Sequence, residues 1–231
     1  MGARCVIHYH GTPITPNTAA LEMAGRCFCV SHARPDQVEL AHKIGQSVML
    51  DNGAFSVWKR GYQADWKSYY RFCDKWLDYR TTWAVIPDEI KGDESAQNDL
   101  LKQWPFGDRG APVWHMHESI DRILDLIDDF TMVCIGSSAE YAVVLSPIWQ
   151  RRMDEVWNVI SKTHARTPWI HMLRGMQLIR HRWPFASVDS TDIARNHNGK
   201  KSPRKMADRW DAGQCPAKYL GINEQMEIEL C

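Results

Sequence analysis

A chain of 231 residues that is 44% hydrophobic and 24% charged can bury one sizeable core, which excludes a fibrous or wholly disordered protein. Its 28 basic and 28 acidic residues cancel, so bulk charge offers no attraction for nucleic acid and any such contact must come from a local patch. No apolar run approaches the ~20 residues that span a bilayer, and Met1 to His8 has no signal-peptide core, so a cytoplasmic protein with no membrane partner is expected. Seven cysteines at irregular spacing fit reduced thiols better than a disulfide framework.

In chain order, Cys5-Val-Ile-His8 reads as a short apolar strand, followed by a helix from Asn17 or Thr18 to Gly25. Cys27 to Ser31 is a second strand, and the helix after it has Pro35 at its entry and Gly45 at its exit, as capping favours. A third strand, Ser47 to Leu50, runs into Asp51-Asn-Gly-Ala-Phe55. From about Asp65 to Tyr79 the residues Trp66, Tyr69, Tyr70, Cys73, Trp76 and Leu77 recur on one helical face. Trp83 to Ile86 is a strand ending at Pro87-Asp-Glu89, and a polar helix follows from Glu94 to Gln103. Pro112 to Trp114 ends at His115-Met-His-Glu118, ahead of a helical run from Ile120 to Ile127. Met132 to Ile135 ends at Gly136-Ser-Ser138, and a helix spans Ile148 to about Lys162. Trp169-Ile170 ends at His171, and the last strand, Phe185 to Val188, ends at Asp189.

Eight short apolar runs, each followed by a helical or turn segment, predict a single compact (β/α)8 barrel over residues 1–231. Parallel strands buried on both faces read as continuous apolar runs and need crossover segments. An open doubly wound sheet is the alternative, and the tail beyond Asn196 reads as a small appendage. In a barrel, chemistry sits at the carboxyl ends of the strands. The residues placed there are His8, Ser31 or His32, Asp51, Asp88 with Glu89, His115 with His117, Gly136 to Ser138, His171 and Asp189. Acidic residues also cap helix entries, which is the plainer reading for Glu89 and His32. Two carboxylates facing one cavity suit displacement at a sugar carbon, one attacking and the other moving protons. Cys27-x-Cys29-x-x-His32 has zinc-type ligands at the wrong spacing for a knuckle, so both thiols are expected to pack inside the barrel, with no metal or cofactor.

Several of these strand ends carry a family resemblance. Asp51-Asn-Gly-Ala-Phe-Ser56 is similar to the Asp-Ser-Gly-Gly-Phe-Gln segment of tRNA-guanine transglycosylases, and Pro87-Asp-Glu89 to their Phe-Asp-Glu segment. Ile135-Gly-Ser-Ser138, His171-Met-Leu-Arg-Gly-Met176 and Val188-Asp-Ser-Thr-Asp-Ile-Ala-Arg-Asn196 resemble later segments in the family's order, the last being the one that holds its nucleophilic aspartate. The chain lacks the family's Cys-x-Cys-x-x-Cys zinc subdomain, is shorter, and has His115-Met-His117 where the family supplies a glutamine. It thus looks most like the DpdA-type branch of bacteria and phages, which exchanges guanine in DNA for a 7-deazaguanine.

The resemblance implies that Asp189 is the nucleophile at C1′ and Asp51 its proton-transfer partner. It also implies that Asp88 reads the guanine edge, while His115 and His117, two apart, are read as a base-reading pair or phosphate contacts ahead of metal ligands, since no further ligand motif accompanies them. Gly136 and Ser137 would bring backbone close to the flat base and Phe55 would be its platform. The implied partners are DNA, more than tRNA, and a free base such as preQ0 or preQ1. Arg195, Lys200, Lys201, Arg204 and Lys205, in a glycine- and proline-punctuated segment of about 195–205, form the clearest basic patch and are expected to contact phosphates. Other readings are a tRNA-guanine transglycosylase, a hydrolase of N-glycosidic bonds and a non-catalytic nucleic-acid-binding barrel.

Overall fold

The computed structural model describes residues 5–219 and 221. Among the described residues nine strands form one sheet, all neighbours parallel: β1 (Ile7–Gly11), β2 (Cys27–Ser31), β3 (Ser47–Asp51), β4 (Thr82–Val85), β5 (Gly110–Ala111), β6 (Val113–His115), β7 (Met132–Gly136), β8 (Trp169–Met172) and β9 (Ser187–Ser190). Their order is β5-β4-β3-β2-β1-β9-β8-β7-β6. The two edges, β5 and β6, are successive pieces of one run interrupted at Pro112. Proline has no N–H to give the ladder, but its carbonyl still accepts from the Cys134 N–H at 2.8 Å. One piece pairs β4 and the other β7, so the sheet closes as an eight-position (β/α)8 barrel.

The helices are α1 (Asn17–Leu21), α2 (Val38–Ile44), α3 (Ala54–Lys59), α4 (Trp66–Trp76), α5 (Glu94–Lys102), α6 (Ile120–Asp129), α7 (Pro147–Thr163), α8 (Asp192–Asn196) and α9 (Pro203–Asp211). Asp65, Asp93, Ser119 and Ser146 each accept a backbone N–H at the start of α4, α5, α6 and α7, which satisfies donors the first helical turn leaves open. Among the described residues no helix is long and apolar enough to cross a membrane.

Alternation along the strands sorts the core into a barrel interior and an outer layer under the helices. Inside lie Tyr9, Cys29, Met49, Trp83, Val85, Ala111, Val113 and Cys134, with Cys27 against them. The two thiols of β2 therefore share the inner face, as their spacing predicts. His32 does not join them, since it hydrogen-bonds Ser68 at 3.2 Å and packs on Tyr69 and Phe72.

The first strand departs from expectation. It starts at Ile7 and continues to Gly11, so His8 lies near its amino end, away from the mouth. His8 and His10 both face outward onto Asp211 of α9, at 3.5 and 3.1 Å. The register follows from Tyr9, which turns inward, shares a hydrogen bond with Ser47 at 2.9 Å and accepts the Trp83 indole N–H at 2.9 Å. Those distant partners let polar residues extend a strand that reads as ended.

Candidate active site

The barrel brings Asp51, Asp88 and Asp189 to one end. Asp51 is the last residue of β3 and faces inward with Met49, while Asp189 in β9 is in register with the inward-facing Tyr9. Asp88 follows β4 by three residues. Asp189 and Asp88 both act on Asp51, which is partly buried in the barrel mouth. Burial first, and then these two like charges, push the Asp51 carboxyl up to about 6, against the Ser31 hydroxyl and the Gly53 N–H, which draw it down. Cys29 is held well above the usual thiol range by burial and by the Asp189 and Asp51 charges, so the thiol is a packing group here. Among the described residues no group of three or more His, Cys, Asp and Glu side chains is arranged to hold a metal ion.

Asp189 sits at the end of a hydrogen-bond chain. The Trp169 indole can only donate, and it donates to Ser187 Oγ at 3.1 Å. The Ser187 hydroxyl also shares a hydrogen bond with His171 Nδ1, 2.8 Å away. His171 Nε2 faces Asp189 Oδ1 at 3.4 Å, and because a carboxylate only accepts, this nitrogen is the donor. The Arg174 backbone N–H donates to the same oxygen at 2.6 Å. Arg174 has φ +56°, a left-handed conformation that non-glycine residues seldom adopt, and this turn aims its N–H at the carboxylate. Both donors converge on Oδ1.

Asp88 is held differently. Its Oδ1 accepts from Asn52 Nδ2 at 2.7 Å and its Oδ2 from His115 Nε2 at 2.9 Å. Asn52 is fixed in turn, since it donates to the Ile86 carbonyl at 2.8 Å and accepts the Ala54 N–H at 2.9 Å. Between them Gly53 takes φ +77°, which glycine tolerates without strain and which turns the chain from β3 into α3. Behind His115, the Glu118 carboxylate accepts the His115 backbone N–H at 2.9 Å and pairs with Arg122 Nε at 3.2 Å.

Burial alone would lower the His115 imidazole, but hydrogen bonding and charge from Asp88 and Glu118 outweigh it and push the group up to about 9. This is a folded-state value raised above the ordinary 6.5, so its stabilisation is complete below about pH 6.5 and is lost as pH rises through about 9. Denaturant titrations from pH 6 to 10 are expected to show that decline. His115→Ala removes it and, by leaving Asp88 buried without its cation while Glu118 keeps only Arg122, is expected to cost about 3–5 kcal/mol at pH 7.

The remaining predicted residues divide. Gly136 lies against the His115 ring, 3.5 Å from the position of an added Cβ. Ser137 Oγ accepts the Trp149 indole N–H at 2.9 Å, so its side chain anchors α7. His117 is exposed, shares a 2.7 Å hydrogen bond with Ser138 and lies 5.8 Å from the His115 ring. Phe55 is exposed on α3, with the Arg174 guanidinium 4.2 Å over its ring.

The basic segment follows the Asp189 strand on α8, α9 and the turn between them. Arg195 lies in α8, Arg204 and Lys205 lie in α9, and Lys200 and Lys201 lie in the turn between them. This stretch is more ordered than its composition implies. Ser202 donates to Glu22 at the end of α1 at 2.6 Å, and Arg26, just before β2, pairs with Asp208 and Asp211. These anchors hold α9 on the outer wall, where Trp210 also donates to Asp192 at the start of α8 at 2.9 Å. Sequence reasoning missed Asn52, Glu118 and Arg174 as parts of the site. Only the polar character of the strand-end segments pointed to them.

The fold and mouth define a class: a (β/α)8 barrel with three carboxylates and two histidines gathered where its strands end. No protein-family model matches the chain, and no curated protein matches it in sequence. Among solved structures it is similar to a tryptophan synthase from M. tuberculosis, in an open form with BRD0059 bound. The TM-score is 0.52 at 11% identity, over 91% of this chain and 93% of that one. A likeness at that identity carries the fold alone.

Proposed function

We propose that the protein is a base-exchange transglycosylase that replaces guanine in DNA by a 7-deazaguanine base through a covalent aspartyl-sugar intermediate. The observation that carries this reading is the contrast between two carboxylates in one mouth. Asp189 is oriented by two donors on Oδ1, which leaves Oδ2 for attack, whereas Asp51 has its proton affinity raised toward neutrality. Carboxylates set apart in this way divide into nucleophile and proton carrier.

In the first half-reaction Asp189 Oδ2 bonds to C1′ of the target deoxyguanosine as the C1′–N9 bond breaks. The protonated Asp51 gives its proton to the departing guanine. In the second half-reaction Asp51, now a carboxylate, takes a proton from the incoming 7-deazaguanine, whose ring nitrogen bonds to C1′ as the ester breaks. Atoms balance, and no oxidant or metal is required. Asp88, its oxygens steadied by Asn52 and His115, keeps lone pairs to accept from the ring N–H and exocyclic amine of the guanine edge. Gly136 supports the same reading, because a side chain there would occupy space beside His115.

The test is incubation with guanine-containing duplex DNA, or tRNA, and labelled preQ0 or preQ1. Label is expected in DNA. Label confined to tRNA would move the substrate to RNA, and guanine release without label would assign N-glycosidic hydrolysis. No label and no release would leave a non-catalytic barrel.

A further inference from the structure

The helix that leaves Asp51 carries a feature that the reaction at C1′ does not use. Phe55 and Trp58 of α3, and Tyr62 just beyond it, are 39%, 43% and 72% exposed. The Phe55 and Trp58 ring centroids lie 5.8 Å apart. Beside them runs a cavity of about 520 Å³, lined among others by Trp58, Tyr62, Trp66, Asp88, Glu89 and Lys91. Asp88 belongs both to the lining of this cavity and to the mouth. Cations stand over the aromatic faces: Lys91 Nζ is 5.5 Å from the Trp58 ring and the Arg174 guanidinium 4.2 Å from Phe55. Exposed Lys59 and Arg60 close the same helix.

From this arrangement we infer that the cleft along α3 is the docking surface for the DNA strand that carries the target base, taking unstacked nucleotides beside the one that reacts. The inference rests on the base-exchange reading for its choice of DNA. Clustered exposed aromatics are costly in water unless covered, and a purine or pyrimidine face covers them while the adjoining phosphates meet the cations. Interleaved rings and positive charge are what single strands bind. Asp88 and Glu89 at the cleft wall accept from exocyclic amines and repel phosphate, so they favour bases on that side and backbone on the lysine side. The surface is distinct from the α8–α9 segment, whose anchors face the outer wall.

The test is binding of a fluorescein-labelled single-stranded deoxyoligonucleotide to the full chain, read by anisotropy through a salt series. Trp58→Ala and Tyr62→Ala are each expected to weaken binding roughly 5- to 150-fold, with folding intact because both side chains are exposed. Lys59→Gln, Arg60→Gln and Lys91→Gln together are expected to lower the log-log salt slope by about 0.7 for each phosphate that is no longer neutralised. The same change at Lys200, Lys201, Arg204 and Lys205 is expected to leave the slope alone. An oligonucleotide carrying 5-iododeoxyuridine is expected to photocrosslink within residues 54–66.

Aromatic variants that bind within twofold of the parent would overturn the inference, as would crosslinks elsewhere, a slope set by residues 200–205, or tighter binding of the RNA counterpart. None of these readouts needs base exchange. A protein that binds DNA through α3 yet incorporates no labelled base keeps this surface and loses the proposed reaction. A protein that incorporates base while its Trp58 and Tyr62 variants bind normally does the reverse.

Discussion

Asp189→Asn is expected to abolish base exchange, lowering it by roughly 10⁴- to 10⁶-fold, as removal of a catalytic nucleophile does. The substitution is nearly isosteric. An asparagine oxygen in the place of Oδ1 still accepts the Arg174 N–H and faces His171, so the fold and DNA affinity should survive. What is lost is the second oxygen, which becomes an amide nitrogen that cannot attack C1′. Incubating parent and variant with DNA and labelled base, then denaturing, should reveal a protein-DNA adduct for the parent alone. Robust exchange by Asp189→Asn would remove the residue from the reaction. Loss of exchange together with loss of the melting transition would show a structural role instead.

Asp51→Asn is expected to slow turnover roughly 10²- to 10⁴-fold, the range for a general acid-base group, while still permitting some adduct, because Asp189 is untouched. The pH dependence separates the two carboxylates further. In the parent, the guanine-release step, in which Asp51 donates, should decline as pH rises through about 6. The variant should lack that inflection. The same residue makes an opposite prediction for stability. Its folded-state carboxyl is raised from 3.8 to about 6, so the folded protein binds the extra proton between those values and loses stability as pH rises through them. Removing the ionisable group should therefore stabilise the protein at pH 7 by on the order of 2–3 kcal/mol and change little below pH 4. A variant that is slower but melts higher at neutral pH is the expected pattern. One that melts lower would show that the Asp51 charge is paired in a way the mouth geometry does not reveal.

Much of the barrel is legible in the chain because burial on both faces of a parallel strand leaves a direct mark. Cys27 to Ser31 and Met132 to Ile135 are unbroken runs of small or apolar residues, and they match or nearly match β2 and β7. Period-two alternation then decides which side chains look inward. That is why Cys27 and Cys29 share the interior and why Asp51 and Asp189, at strand ends, emerge together. Helix entries were legible where a short polar side chain could take the open N–H groups of the first turn, as at Asp65 and Asp93. Those signals are local, and each depends on residues within a few positions of one another.

What the chain alone left undecided depends on partners remote in sequence. The polar residues of β1 read as an ending until Ser47, Trp83 and Asp211 supply their hydrogen bonds. Pro112 reads as a strand start, whereas in the closed sheet it is the joint between a piece paired with β4 and a piece paired with β7. The charge state of His115 is set by Asp88, 27 positions away, and by Glu118. The orientation of Asp189 is set by Arg174 and by a chain that begins at Trp169. The basic residues of 195–205 cluster in sequence but are carried to the outer wall by Glu22 and Arg26. Lys91 and Arg174, which nothing in the chain links to Phe55 and Trp58, are delivered onto their rings by the closing of the barrel. Periodicity determined which residues face the mouth, and only closure decided which of them meet, because hydrogen bonds and charge act at a few ångströms regardless of separation along the chain.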